Sequence, residues 1–80
     1  MKIHAIKELV ETHTVEVIII LTTQLENGEP LSHSVHGDDE GEQLTHLLGA
    51  VWIKEQMEAN GTDFKTELRN YTARVRTSIS

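Results

Sequence analysis

Residues 14–23 read TVEVIIILTT, and eight of these ten residues are β-branched. β-Branched side chains pack well on a pleated surface, so the stretch predicts a β-strand. Successive strand residues point to opposite faces, which places Val17, Ile19 and Leu21 together on one face. The opposite face is apolar as well. A strand that is apolar on both faces must pack against other parts of a protein on both of them.

A hairpin is predicted directly after this strand. Asn27-Gly28 is the strongest short hairpin signal, because both residues tolerate the positive φ angles of a two-residue turn. The turn pairs the first strand with a second one that extends to about Val35. Pro30 lacks an amide hydrogen, which suits an edge strand.

The first ten residues are open to two interpretations. The apolar residues Ile3, Ile6, Leu9 and Val10 recur at helical spacing. A lone two-stranded hairpin is marginal in water, however, and a third strand makes it viable. We therefore favour a strand for residues 2–6.

The long helix is predicted over residues 39–59. Asp39 is placed to cap it, with Glu42 three residues later as the capping partner, and Asn60 or Gly61 is placed to end it. Gly49 is expected where this helix lies close against the sheet. After it, the spacing of the apolar residues favours a second helix over residues 63–74. Residues 71–79 also alternate like a strand.

The predicted fold class is therefore α+β. It comprises a small antiparallel sheet of two or three strands, a long amphipathic helix packed on one face, and a second C-terminal helix. We expect a single domain spanning residues 1–80, with a ββα core at about 14–60 and a C-terminal segment at 62–80.

Charge and composition narrow the classes of partner. The 80 residues carry a formal net charge of −6 and no cysteine. Residues 1–62 hold three basic against eleven acidic residues, whereas residues 63–80 hold four basic against two acidic residues. An acidic body repels nucleic acid, whose binding depends on phosphate neutralisation. The apolar run of residues 17–21 is too short to span a membrane, and no secretory signal is recognised, so a cytoplasmic location is expected.

The histidines and the acidic residues are the candidates for a metal site or a catalytic site. His33, His36 and Asp38 are the candidate metal ligands, although an odd offset places two strand histidines on opposite faces. Glu42 and His46 are expected to form an exposed pair on the helix. Neither a Gly-x-Ser-x-Gly elbow nor a Gly-rich phosphate loop occurs. We therefore expect no catalytic residues, no cofactor and no enzymatic activity.

A protein partner is the function that the sequence favours. Trp52 lies on the flank of the long helix, and tryptophan is enriched among binding hot spots. Together with Val17, Ile19 and Leu21 it forms the predicted partner-binding set, and the two-faced strand predicts a homodimer. We expect a small acidic interaction module, an adaptor or an inhibitor of a host or enzyme target, such as a phage or mobile-element protein. The alternative is a metal- or small-ligand-binding module that uses His33, His36 and Asp38.

Overall fold

The computed structural model describes the backbone of residues 1–79 and the side chains of residues 1–76. Its four helices are α1 (Ile3–Thr12), α2 (Val15–Glu26), α3 (Glu40–Asn60) and α4 (Phe64–Ile79). No strand forms within residues 1–79, so the predicted α+β fold with its antiparallel sheet is wrong and this part of the chain is all-helical. Ser80, the last residue of the predicted C-terminal segment, lies outside the described residues.

The N-terminal segment forms α1 rather than the favoured strand. Its buried residues are Ala5, Ile6, Leu9 and Val10, which lie on one helical face. The helical spacing of the apolar residues was therefore the correct signal. A strand at residues 2–6 would have needed a hairpin to pair with, and that hairpin does not form.

The run TVEVIIILTT forms most of α2, which corrects the central prediction from the sequence. Thr14 caps this helix, and its hydroxyl accepts the backbone N–H of Val17 at 3.2 Å. The core-facing residues recur at i, i+3, i+4 and i+7: Ile18, Leu21 and Thr22 are buried, and Leu25 packs against the core. A short apolar run fits a buried strand and a buried helix equally well, so β-branching alone misassigned it.

Asn27-Gly28 ends α2 instead of turning a hairpin. Gly28 has a φ of 71°, its N–H bonds the carbonyl of Leu25, and the N–H of Glu29 bonds the carbonyl of Gln24 at 2.9 Å. These two bonds form a Schellman motif, in which a left-handed residue closes the helix. A hairpin turn requires the same left-handed conformation, so the dipeptide marks a chain reversal without specifying which kind.

Residues 27–39 form an irregular loop where the second strand was predicted. Val35 inserts into the core with 7% of its surface exposed. The side chain of Gln43 donates to the carbonyl of Val35 at 3.0 Å, which ties the loop to α3. The loop is thus held by one apolar residue and by side chains from neighbouring helices.

Both predicted ends of α3 are confirmed. Asp39 accepts the N–H of Glu42 at 2.8 Å, and the Glu42 carboxylate accepts the N–H of Asp38 at 2.9 Å. This hydrogen bond from Asp38 holds the pKa of Glu42 below its usual value. At the other end, Gly61 adopts the left-handed conformation with φ 64°.

Helix α3 lies at the centre, because α1, α2 and α4 each pack against it. Lys2, next to the start of α1, contacts His46, and Lys54 near the end of α3 donates to the carbonyls of Val10 and His13 at 2.6 Å each. Helices α1 and α3 therefore run in the same direction. The buried core consists of Ile6, Leu9, Val10, Ile18, Leu21, Val35, Leu47, Ala50 and Ile53.

Gly49 lies where α1 and α4 both come close to α3, and not against a sheet as predicted. A Cβ at this position sits 3.2 Å from Cε2 of Tyr71 on α4 and 3.3 Å from Cδ1 of Ile6 on α1. The absence of a side chain therefore allows two helices to approach α3 at the same level.

Helix α4 folds back along α3. It extends to Ile79, beyond the predicted range of residues 63–74. Asp63 caps it by accepting the N–H of Thr66 at 2.8 Å. Residues 71–79 continue the helix, so their strand-like alternation was misleading. Glu67 is buried and accepts the hydroxyl of Thr62 at 2.5 Å, which joins the first turn of α4 to the end of α3.

Candidate functional site

A groove with a volume of about 360 Å³ lies between α2 and α3. Both helices contribute side chains to its lining. The lining residues are Ile19, Thr22, Thr23, Glu26, Leu48, Val51, Trp52 and Glu55. Each helix contributes residues from two successive turns, because the lining repeats at helical spacing on both.

Four of the eight lining residues are apolar, and this part of the groove is open to solvent. Ile19 is 46% exposed and Leu48 is 50% exposed, although both are large aliphatic residues. Val51 and Trp52 are half-buried and pack against the core. A patch of exposed apolar side chains with polar residues at its border is typical of binding surfaces.

Trp52 is held in position by α4. Its ring lies 5.6 Å from the ring of Tyr71, at an interplanar angle of 43°. The guanidinium of Arg74 lies over the indole at 5.8 Å from its centroid, a cation–π distance. These contacts restrict the indole, so it presents a fixed surface to the groove.

The charged lining residues of the groove are both acidic. Glu26 and Glu55 contribute the carboxylates, and no described Lys or Arg side chain lines the groove. Within the part of the chain whose side chains are described, neither carboxylate forms an ion pair. The Thr22 hydroxyl already donates to the carbonyl of Ile18 at 2.9 Å. The lining can therefore bury apolar groups and attract cations.

The predicted partner-binding residues divide into two pairs. Trp52 and Ile19 both line the groove, so the structure brings them together. Leu21 is fully buried in the core and Val17 is half-buried against it. The division follows from the helical period, because residues 17, 19 and 21 share a face only on a strand.

The structure does not bring His33, His36 and Asp38 together. His33 packs on His13 with ring centroids 4.8 Å apart, His36 contacts the Glu8 carboxylate at 2.8 Å, and Asp38 accepts Lys2 Nζ at 3.3 Å. Among the described residues, no group of three or more His, Cys, Asp or Glu side chains is arranged to hold a metal ion. No observation favours the alternative metal-binding function.

Two of these contacts have electrostatic consequences. The hydrogen bond from Lys2 to Asp38 raises the pKa of that lysine. Burial, followed by the neighbouring His33, lowers the pKa of His13. Both effects concern the attachment of the loop to α1 and leave the groove unaffected.

His46 was predicted to be exposed beside Glu42, and this prediction is wrong. The imidazole is fully buried, Nδ1 lies 2.8 Å from the carbonyl of His36, and Nε2 lies 2.9 Å from the backbone N–H of Lys2. The ring therefore carries its hydrogen on Nδ1 and accepts at Nε2. The position of residue 46 next to the buried Leu47 and one turn before Ala50 was the available signal.

Leu48, Glu26 and Glu55 were not predicted as site residues. Leu48 belongs to the apolar residues of α3 and is 50% exposed in the structure, and the sequence of α3 does not show that α2 lies beside it. Once α2 is recognised as a helix, Ile19 and Glu26 fall on one of its faces. The missing signal was thus the helical period of residues 15–26.

None of the helices within residues 1–79 combines the length and the apolar character needed to cross a bilayer. The chain matches no curated protein and no solved structure. The model of a family of unknown function, DUF6952, matches residues 1–80. The chain therefore belongs to the DUF6952 family.

Proposed function

We propose that this chain is a small, non-enzymatic protein-interaction module, and that the α2–α3 groove is its binding surface. The observation that carries the proposal is the exposure of Ile19 and Leu48 around Trp52. A stable fold gains from burying such side chains, by about 25 cal/mol per Å² of apolar surface. Leaving them open is a cost that a bound partner removes.

The chemistry of the groove favours binding over catalysis. Its polar groups are two exposed carboxylates and two threonines, and one threonine hydroxyl already has a partner. Catalytic carboxylates need unlike environments, and Glu26 and Glu55 are both exposed. The groove therefore supplies an apolar anchor site with acidic edges.

Self-association remains a separate prediction. The homodimer was predicted from a strand with two apolar faces, and that strand does not form. The exposed Ile19, Ile20 and Leu48 are the apolar surface that is available for association instead. Sedimentation velocity distinguishes the two states, because the monomer has a mass of 9.0 kDa.

Affinity capture with matched variants tests the proposed function. Leu48→Glu places a charge in the groove, whereas Ile3→Glu changes an equally exposed aliphatic residue outside the lining. Circular dichroism first verifies that both variants keep the helical fold. We expect the wild type and Ile3→Glu to recover the same protein from a lysate of the source cells, and Leu48→Glu to lose it. Equal recovery by all three proteins contradicts a docking role for the groove.

A further inference from the structure

We infer that the occupant of the α2–α3 groove is an amphipathic helix whose apolar stripe is flanked by Lys or Arg. This inference rests on the proposed function and specifies its partner. Three features of the groove carry it: its length, its carboxylates and the absence of a free sheet edge among the described residues.

The length of the groove matches two turns of a helix. The lining extends from Ile19 to Glu26 on α2 and from Leu48 to Glu55 on α3. Seven residues of an α-helix rise by about 10 Å. The same distance separates the first and last side chains of an apolar stripe at positions i, i+3 and i+7 of a partner helix. A partner helix lying along the groove can thus place two or three apolar side chains over Leu48, Val51 and Trp52.

The carboxylates specify the charge of the partner. Glu26 and Glu55 border the apolar lining and make no ion pair with described residues. Glu16 lies three residues before Ile19, and therefore on the adjoining surface of α2, where it is exposed. When a partner helix binds with its apolar stripe in the groove, basic side chains beside the stripe lie close to these carboxylates. Acidic side chains at the same positions are repelled.

A second copy of the chain fits these charges less well. Docking two copies through this surface brings Glu26 and Glu55 of one copy towards the same carboxylates of the other. Each copy also carries a net charge of −6. Like charges in such an interface oppose association.

An extended peptide is also a poorer fit. Many extended peptides bind by adding a strand to an exposed sheet edge, whose main-chain groups supply the affinity. Residues 1–79 contain no strand and therefore no such edge. The walls of the groove are helices, whose backbone groups are already bonded within each helix.

Fluorescence of Trp52 provides the test, since it is the only tryptophan and it lines the groove. The probes are two tryptophan-free peptides of about 16 residues, long enough for appreciable helix formation. One has leucines at i, i+3, i+4 and i+7 with lysines on the flanks, and the other has a glutamate in place of every lysine. The full chain is titrated with each peptide at low and at physiological salt.

We expect the lysine peptide to bind at least about tenfold more tightly than the glutamate peptide at low salt, with a smaller ratio when salt screens the charges. Glu26→Gln combined with Glu55→Gln should reduce this ratio to about threefold or less. The matched control is Glu11→Gln combined with Glu40→Gln, which removes two exposed carboxylates outside the lining and should keep most of the preference.

The remaining outcomes separate this inference from the proposed function. Equal binding of both peptides, lost in Leu48→Glu, overturns the basic partner and leaves the groove as a docking site. Failure of the lysine peptide to bind overturns the inference, while the capture experiment still decides the proposed function. Concentration-dependent dimers that Leu48→Glu abolishes identify a second copy as the occupant and overturn it as well.

Discussion

His46 joins three segments through one buried ring. It contacts the backbone of Lys2 before α1 and the backbone of His36 in the loop, while it is itself part of α3. A buried polar group is stabilising only when its partners are present, and here both ring nitrogens have one. This single residue therefore helps to fix where the loop and the N-terminus lie.

Replacing this ring with an apolar side chain should be costly. We expect His46→Leu to lower the free energy of unfolding by about 1–3 kcal/mol, because two part-buried backbone groups lose their partners. The measurement is urea denaturation followed by circular dichroism. His4→Leu, at an exposed position, is the control and should change stability by less than about 0.5 kcal/mol. Equal effects of the two substitutions contradict the bridging role.

Gly49 offers a second test at the residue scale. Valine has a higher helix propensity than glycine, so propensity alone predicts that Gly49→Val stabilises the protein. Its side chain, however, must displace Tyr71 or Ile6, and overpacking typically costs about 1–3 kcal/mol. We expect net destabilisation in denaturant titrations, and little change for Thr45→Val at an exposed position of the same helix. A stabilised Gly49→Val protein shows that the helices are less closely packed than described.

Among the four helices, the sequence predicted α3 and α4. The acidic cap of α3 and its glycine stop each require particular residues at particular positions, so they could be recognised. The two N-terminal helices were assigned as strands. For α2, β-branching and Asn27-Gly28 are compatible with both structures, and the choice is made by packing against α3.

The junction between α3 and α4 should weaken in acid. Hydrogen bonds from Thr62 and then Asn70 hold the pKa of Glu67 below its usual value, and bonds from the side chain and then the backbone of Thr66 do so for Asp63. A carboxyl group whose pKa is lowered by folding stabilises the protein at pH values above its pKa in the unfolded chain, which is about 4. This stabilisation is lost as the pH falls through the lower pKa of the folded protein.

We therefore expect Glu67→Gln to be less stable than the wild type at neutral pH, with a difference that shrinks below about pH 4. Urea titrations at several pH values measure this difference. Glu58→Gln, at an exposed position, should show no comparable trend. A wild-type advantage that stays constant down to acidic pH contradicts the role of the Glu67 carboxylate.

For the whole molecule, the candidate site depends on the arrangement of helices. Sequence reasoning identified Trp52 and Ile19 as partner-binding residues, and both line the groove. It could not identify Leu48 or Glu55 as part of a site, because nothing in α3 shows where α2 lies. The same error in the period of residues 15–26 selected Leu21, which is buried in the core.

The groove exists only if α2 is a helix. Helix α2 carries apolar residues around most of its circumference, and α3 covers one side of it, so Ile19 and Ile20 stay exposed. In a strand, Ile19 and Glu26 would lie on opposite faces, because they are an odd number of positions apart. The two residues could then not line the same groove.

The Cα chemical shifts of residues 15–26, measured by NMR on the full chain, show whether α2 is a helix. We expect an uninterrupted run of helical shifts that ends at Asn27. Strand-like shifts over residues 15–23, accompanied by cross-strand contacts between Ile20 and Val35, would contradict the helix, the groove and the function proposed for it.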